Sequence, residues 1–146
     1  MSDDPFFVVD GAHNPAALQR SLEAYQRRLS RPGASGDGAA AASRNEESKA
    51  LLIFGCMEDK EVEEMLALLA ACPLRILFTA ARQPRALPPE FFTAHALAEG
   101  RDWESCPDLK AALEHAGSAR PILVTGSFYL AAEAYWLKGV DPFGAR

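Results

Sequence analysis

The hydrophobic residues of the chain are concentrated in four short continuous runs, separated by longer amphipathic stretches. None of the runs alternates apolar and polar residues, as a strand with one solvent-exposed face would. Continuous apolar runs of this length are typical of strands that are covered on both faces of a parallel sheet. The pattern therefore predicts strands at residues 6–9, 51–54, 76–79 and 122–125.

The stretches between the runs have helical periodicity. In residues 16–29, apolar side chains recur three or four positions apart and so share one side of a helix: Leu18, Leu22, Tyr25 and Leu29. Further helices are predicted at 62–71, 109–116 and 129–137. Because alternating strands and helices imply right-handed crossovers, we predict an α/β fold with a doubly wound, mostly parallel sheet and helices on both faces.

Two segments interrupt this alternation. Residues 30–48 are small and polar, which predicts a flexible insertion loop on the surface rather than a functional lid. Residues 81–89 contain three prolines and two arginines and are predicted to form a second loop. A length of 146 residues suits one globular domain, so residues 1–146 are treated as a single unit.

Charge and cysteine content argue against several classes of protein. The net charge of -5 argues against a nucleic-acid binder, which would need a basic face to meet phosphates. The three cysteines include no CxxC pair, so a zinc site or a disulfide framework is not indicated and a reducing cytoplasmic location is predicted. No signal peptide and no membrane-spanning run is visible, so no membrane partner is expected.

In open α/β sheets, ligands bind beyond the carboxyl ends of the strands, so the residues that follow each apolar run are the candidates. After the first run, Asn14 can cap a helix that begins at Pro15. Asp10 and His13 would then lie beside a helix N-terminus, which favours anions. Two alternatives remain equally open: these side chains contact a ligand, or they only brace the turn.

After the second run, Asp59 is a candidate helix cap and, less favoured, a functional residue. Lys60 is positioned to face a phosphate or carboxylate, or to pair with Glu63 and Glu64 one helical turn later.

Arginines follow the third run, at Arg82 and Arg85, and the guanidinium fork matches carboxylates and phosphates. Solvated surface arginines are the commoner case. After the fourth run, Ser127 is a natural N-cap and Gly126 lets the backbone approach a ligand, and the two roles are compatible. No GxxxxGK[ST], GxGxxG or GxSxG motif is present, so an independent ATPase, dehydrogenase or serine hydrolase is poorly supported.

The strings FFVVDGAHNP (6–15), LLIFGCMEDK (51–60) and ILVTGSFYL (122–130) occur in this order. Together they resemble the C-terminal domain of folylpolyglutamate synthases and dihydrofolate synthases, which belong to the Mur ligase superfamily. The resemblance extends over nearly the whole chain except residues 30–48, and it implies a Rossmann-like fold. It also implies an ATP-dependent ligase in which ATP phosphorylates a folate or pteroate carboxylate and glutamate attacks the acyl phosphate.

Carried over position by position, the resemblance implies that Asp10 and His13 are catalytic and, with Asn14, contact the nucleotide. It implies that the glutamate side is formed by Ser127, Lys60, Asp59 and Arg85. The family's N-terminal P-loop domain is absent from this chain and is the expected partner. ATP and Mg²⁺ are expected in the full-length enzyme, with the metal ligands mainly in that other domain and none assigned here.

One departure from the family concerns the segment before DGAHNP, which usually contains a Gly-Arg pair whose arginine would contact ATP. Only residues 1–5 precede the first run here, so the isolated domain is expected to be inactive. The alternative is a stand-alone, non-catalytic binding or interaction module with the same fold. The presence of Asp10, His13, Asp59, Lys60 and Ser127 together favours the ligase.

Overall fold

The computed structural model describes residues 7–30, 50–58, 61–72, 74–98, 103–117 and 121–138. The predicted insertion loop therefore lies outside the described residues, apart from Ser30, and so do Asp59 and Lys60.

Five strands of the described chain form one sheet in the order β1-β5-β2-β3-β4, and every neighbouring pair is parallel. The strands are β1 (Phe7–Val9), β2 (Leu51–Phe54), β3 (Arg75–Phe78), β4 (Glu104–Ser105) and β5 (Ile122–Thr125). In the central register, Ile53 of β2 lies between Leu77 of β3 and Val124 of β5. All four residues of β2 are buried, which explains why its sequence shows no alternation.

The helices are α1 (Pro15–Ser30), α2 (Val62–Ala70), α3 (Pro89–Ala98), α4 (Leu109–Ala116) and α5 (Phe128–Leu137). One core contains residues of α1, α2 and α3 against Leu52 and Phe54 of the sheet. The other contains residues of α4 and α5 against Leu51 and Ile53. Helices therefore cover both faces of a parallel sheet, and the predicted doubly wound α/β fold is confirmed.

Two elements were not predicted, α3 and β4. Helix α3 has apolar residues around much of its circumference, and of its neighbouring phenylalanines Phe92 is buried whereas Phe91 is partly exposed. Phe92 stacks on Phe78 of β3 with ring centroids 4.6 Å apart, a long-range contact that fixes the helix on the sheet. Strand β4 has only two residues, which is too short for a periodic pattern.

The strand order determines where a ligand site can form. Strands β2, β3 and β4 follow one another across the sheet, whereas β5 returns to lie between β1 and β2. This reversal is a topological switch point, where ligands bind in open α/β sheets. The loops that follow β1, β5 and β2 are consequently neighbours at the carboxyl edge.

Candidate functional site

Backbone hydrogen bonds join the loops at the carboxyl edge. The Gly126 N–H, in the turn after β5, donates to the carbonyl oxygen of Ala12 in the β1–α1 loop at 3.1 Å. The Gly55 N–H, directly after β2, donates to the Thr125 carbonyl oxygen at 3.3 Å. The segments that carry the first and last sequence motifs therefore meet at one place.

The carboxylate of Asp10 is half-buried and bonded within the chain. Its Oδ1 accepts the Ala12 N–H at 2.8 Å, and its Oδ2 accepts the Ser21 hydroxyl of α1 at 2.7 Å. Asp10 thus braces the turn, which was one of the two alternatives. Each carboxylate oxygen has a further lone pair, so bracing is compatible with a contact to a ligand, and the predicted nucleotide contact stays a prediction.

His13 is exposed at the tip of the same loop. Its Nδ1 lies 3.0 Å from the Gly11 carbonyl oxygen. Because a carbonyl oxygen only accepts, Nδ1 must carry the hydrogen, and in the neutral ring Nε2 is then an acceptor. The intraloop bond therefore fixes the tautomer and leaves Nε2 as the atom that can act on a ligand.

Asn14 and Ser127 are both helix N-caps, as predicted. Asn14 Oδ1 accepts the Ala17 N–H at 2.8 Å, and Pro15 is the first residue of α1. Ser127 Oγ accepts the Leu130 N–H at 2.9 Å at the start of α5, and its side chain is buried. The side-chain NH₂ of Asn14, which is half-buried, remains available as a donor in this bonding arrangement.

Two aromatic side chains near this site were missed by sequence reasoning. Phe128 and Tyr129, in the first turn of α5, are 55% and 45% exposed, with ring centroids 6.0 Å apart. The Cα atom of Phe128 lies 3.8 Å from the point where a Cβ on Gly11 would stand, so the pair borders the β1–α1 loop. The sequence signal for them was a pair of aromatic residues directly after the glycine and serine that precede the helix.

Arg85 lies in a second part of the carboxyl edge, formed by the loops after β2 and β3. The Glu58 N–H donates to the Arg85 carbonyl oxygen at 2.8 Å, and the Arg85 Nε lies 3.3 Å from Glu58 Oε1. Met57 and Ala86 form an antiparallel bridge beside them. The loop that leads to Asp59 and Lys60 is thus joined to the loop that carries Arg85.

Other predicted roles differ from the structure or lie outside it. Helix α2 has Glu61 at its N-cap position, without a side-chain capping hydrogen bond. The predicted cap residue, Asp59, is not the residue that precedes the helix. Arg82 is used within the chain: its backbone N–H donates to the carboxylate of Glu133, and its guanidinium lies 3.7 Å from Asp108 Oδ2.

A cavity of about 330 Å³ lies between α4 and α5, and its walls are formed by Arg82, Lys110, Glu133, Trp136 and Leu137. Arg82 lies in the loop that also carries Arg85, whereas the other lining residues lie on α4 and α5. Within the described ranges, no three His, Cys, Asp or Glu side chains are grouped so that they could hold a metal ion. No helix in that part of the chain is long and apolar enough to cross a membrane.

Comparisons with known proteins show the family to which the chain belongs. Residues 31–128 match the family described as "Mur ligase, glutamate ligase domain". The folylpolyglutamate synthase of Lacticaseibacillus casei is 32% identical over 133 residues, which make up 90% of this chain and 27% of that protein.

Two solved structures share the fold. The bifunctional folylpolyglutamate synthase/dihydrofolate synthase of Yersinia pestis, complexed with AMPPNP and a Mn ion, superposes with a TM-score of 0.69 at 18% identity, covering 96% of this chain and 30% of that one. The folylpolyglutamate synthase of Mycobacterium tuberculosis, complexed with ADP and AMPPCP, gives a TM-score of 0.65 at 24% identity over 92% of this chain and 30% of that one. The chain thus spans less than a third of the length of these relatives.

Proposed function

Because the chain belongs to the glutamate ligase domain family of the Mur ligases, we propose that it is the C-terminal domain of an ATP-dependent folate–glutamate ligase. In this role it contributes nucleotide and glutamate contacts to amide-bond formation. The observation that carries the proposal is the bond from the Gly126 N–H to the Ala12 carbonyl oxygen. It joins the DGAHNP loop to the TGS turn, so that the two motifs form one surface at the switch point of the sheet.

The proposed reaction has two steps. A carboxylate oxygen of the pteroate or folate attacks the γ-phosphorus of ATP, and ADP leaves. The glutamate amine then attacks the acyl carbon, phosphate leaves, and the nitrogen loses a proton. The acyl phosphate would react with water if it were exposed, so a site that closes only when both ligands are bound protects it.

The nucleotide side is assigned to the β1–α1 loop. Nε2 of His13 points away from the loop's own bond and can contact a phosphate oxygen when protonated. The N-terminus of α1 adds a favourable field for an anion, and the Asn14 amide supplies a donor. Asp10 holds this loop and, in the proposal, contributes to the reacting centre.

The glutamate side is assigned to Ser127 and Arg85, together with Asp59 and Lys60, which lie outside the described residues. Arg85 has an exposed guanidinium, and Glu58, one of its partners, is also exposed; such ion pairs contribute only about 0–1 kcal/mol. The pair can therefore open at low cost to accept the substrate carboxylate.

Mg²⁺ would neutralise charge on the ATP phosphates. Its protein ligands are assigned mainly to another domain, as the resemblance to the folate ligases implies. We propose that this domain is an N-terminal P-loop domain, that the isolated chain is inactive without it, and that the enzyme works in the cytoplasm.

The test starts from the polypeptide that carries this chain in its native cells. Its size is determined by immunoblot with antibodies against the chain. The purified polypeptide is then assayed for ATP-dependent incorporation of labelled glutamate into dihydropteroate and into tetrahydrofolate. Incorporation with ADP release supports the ligase, whereas a native polypeptide that incorporates no glutamate into either acceptor refutes it in favour of a non-catalytic module.

A further inference from the structure

We infer that Ser21 is a positioning residue of the site, which acts through Asp10 to hold the β1–α1 loop. Ser21 lies in the second turn of α1, eleven positions after Asp10, and its hydroxyl donates to Asp10 Oδ2 at 2.7 Å. A hydrogen bond to a carboxylate is among the stronger ones in proteins. The inference rests on the proposed function only where it concerns ligase kinetics.

The placement of Ser21 on the helix is unusual for a polar residue. It follows Leu18 by three positions and precedes Tyr25 by four, so it belongs to the stripe that packs on the sheet. Its side chain is only 9% exposed. Burying a hydroxyl is unfavourable unless it is hydrogen-bonded, and here the bond is to Asp10. The break in the apolar stripe thus marks a contact between the helix and the loop.

The bond is the first link in a continuous series. Ser21 fixes one oxygen of Asp10, and the other oxygen accepts the Ala12 N–H at 2.8 Å. The Ala12 carbonyl oxygen in turn accepts the Gly126 N–H at 3.1 Å. These hydrogen bonds link helix α1 to the β1–α1 loop, which carries His13, and to the turn after β5.

Loss of the Ser21 hydroxyl removes one of the two anchors of the carboxylate. Asp10 can then rotate, and its bond to the N–H of Ala12, the residue directly before His13, is weakened. A small misplacement of a catalytic group can cost up to about a hundredfold in rate. For a loop that contacts the nucleotide, we expect a rise of about tenfold in the KM for ATP, with a change of less than about twofold in the KM for glutamate.

The kinetic test uses the native polypeptide with five variants, among them Asp10→Asn alone as the reference for a double variant. Ser21→Ala removes the hydroxyl, and Ser21→Thr keeps it and should restore the KM for ATP. Thr93→Ala is the matched control, because it removes a helix hydroxyl that donates to a backbone carbonyl, that of Glu90, elsewhere in the fold. The double variant Ser21→Ala with Asp10→Asn should be no worse than Asp10→Asn alone. Additive losses would overturn the inference.

A second readout does not depend on ligase activity. In the 146-residue chain, amide hydrogen exchange of Ala12 reports whether its bond to Asp10 is held. We expect faster exchange of this amide in Ser21→Ala than in wild type or Thr93→Ala. If Ser21→Ala lowers the stability of the chain but leaves the exchange of the Ala12 amide unchanged, the inference is refuted. If the wild type has no ligase activity, the proposed function fails while the exchange result still decides the role of Ser21.

If Ser21→Ala does not fold, Ser21→Cys takes its place, because a thiol is similar in size and a weaker donor. The same acceleration of Ala12 exchange is then expected, and its absence counts against the inference.

Discussion

The carbonyl oxygen of Gly55 lies too close to the point where a Cβ atom on Gly126 would stand for that atom to fit. The Gly55 carbonyl carbon and amide nitrogen each lie 3.0 Å from the same point. Gly126 also has a φ of +119°, a conformation that residues with a side chain rarely adopt. The ends of β2 and β5 can therefore approach closely only because residue 126 has no side chain, and this approach positions the turn that bonds to Ala12.

We predict that Gly126→Ala destabilises the chain more than Gly117→Ala. Gly117 also has a positive φ, +73°, but no atom lies within 4 Å of the position of its missing Cβ. Backbone strain applies to both variants and costs about 1–3 kcal/mol. Gly126→Ala adds a clash with backbone atoms, for which overpacking gives a further 1–3 kcal/mol or so. Urea unfolding measures both values, and equal costs would contradict the close contact with Gly55.

The buried cap at Ser127 predicts a second difference in stability. Ser127→Ala leaves the buried Leu130 N–H without its acceptor, which should cost about 2 kcal/mol. Asp108 caps α4 in the same way, through the Ala111 N–H at 2.9 Å, but it is partly exposed. Water can replace it, so Asp108→Ala should cost only about 0.5–1 kcal/mol. A smaller loss for Ser127→Ala than for Asp108→Ala in urea unfolding would show that the burial of Ser127 does not strengthen its cap.

For His13 the prediction concerns activity. His13→Ala should lower kcat/KM of the native ligase by about a hundredfold or more, because an imidazole that aids phosphate or proton transfer contributes at this level. His115→Ala is the control, since His115 lies in the last turn of α4, at the opposite end of the helix from the carboxyl edge. It should retain wild-type activity. Near-normal turnover of His13→Ala would remove this residue from the site.

Local patterns made much of the fold predictable. The four strands and four helices that were predicted have apolar periodicity or continuous apolar runs, and the caps at Asn14 and Ser127 follow from side-chain chemistry next to a helix start. Helix α3 and strand β4 were missed, because a packing partner such as Phe78 rather than a sequence pattern determines their position.

The arrangement of the site was less predictable for the same reason. The bond between Ser21 and Asp10 and the contact between Gly55 and Gly126 join residues that are distant in sequence. Neither contact produces a periodicity. In the sequence, Ser21 is visible only as one polar position within an apolar stripe. Its role becomes clear only when helix α1 packs against the β1–α1 loop.

Burial of Cys56 predicts a loss of stability at alkaline pH. Burial raises the pKa of this thiol from 9.0 to about 12, because the thiolate would be poorly solvated. Between about pH 9 and 12, the unfolded state therefore binds fewer protons than the folded state, and the free energy of unfolding falls as pH rises, by at most about 1.4 kcal/mol per pH unit.

In urea unfolding from pH 8 to 11, the free energy of unfolding of Cys56→Ala should decline less steeply than that of wild type, whatever its stability at pH 8. Tyr25→Phe is the control. Burial also raises the pKa of the Tyr25 hydroxyl, but its ordinary value of 10.0 is higher than the 9.0 of the thiol. The loss of stability caused by Tyr25 should therefore begin about one pH unit higher than the loss caused by Cys56. An identical decline in wild type and Cys56→Ala would show that the thiol does not ionise differently in the two states.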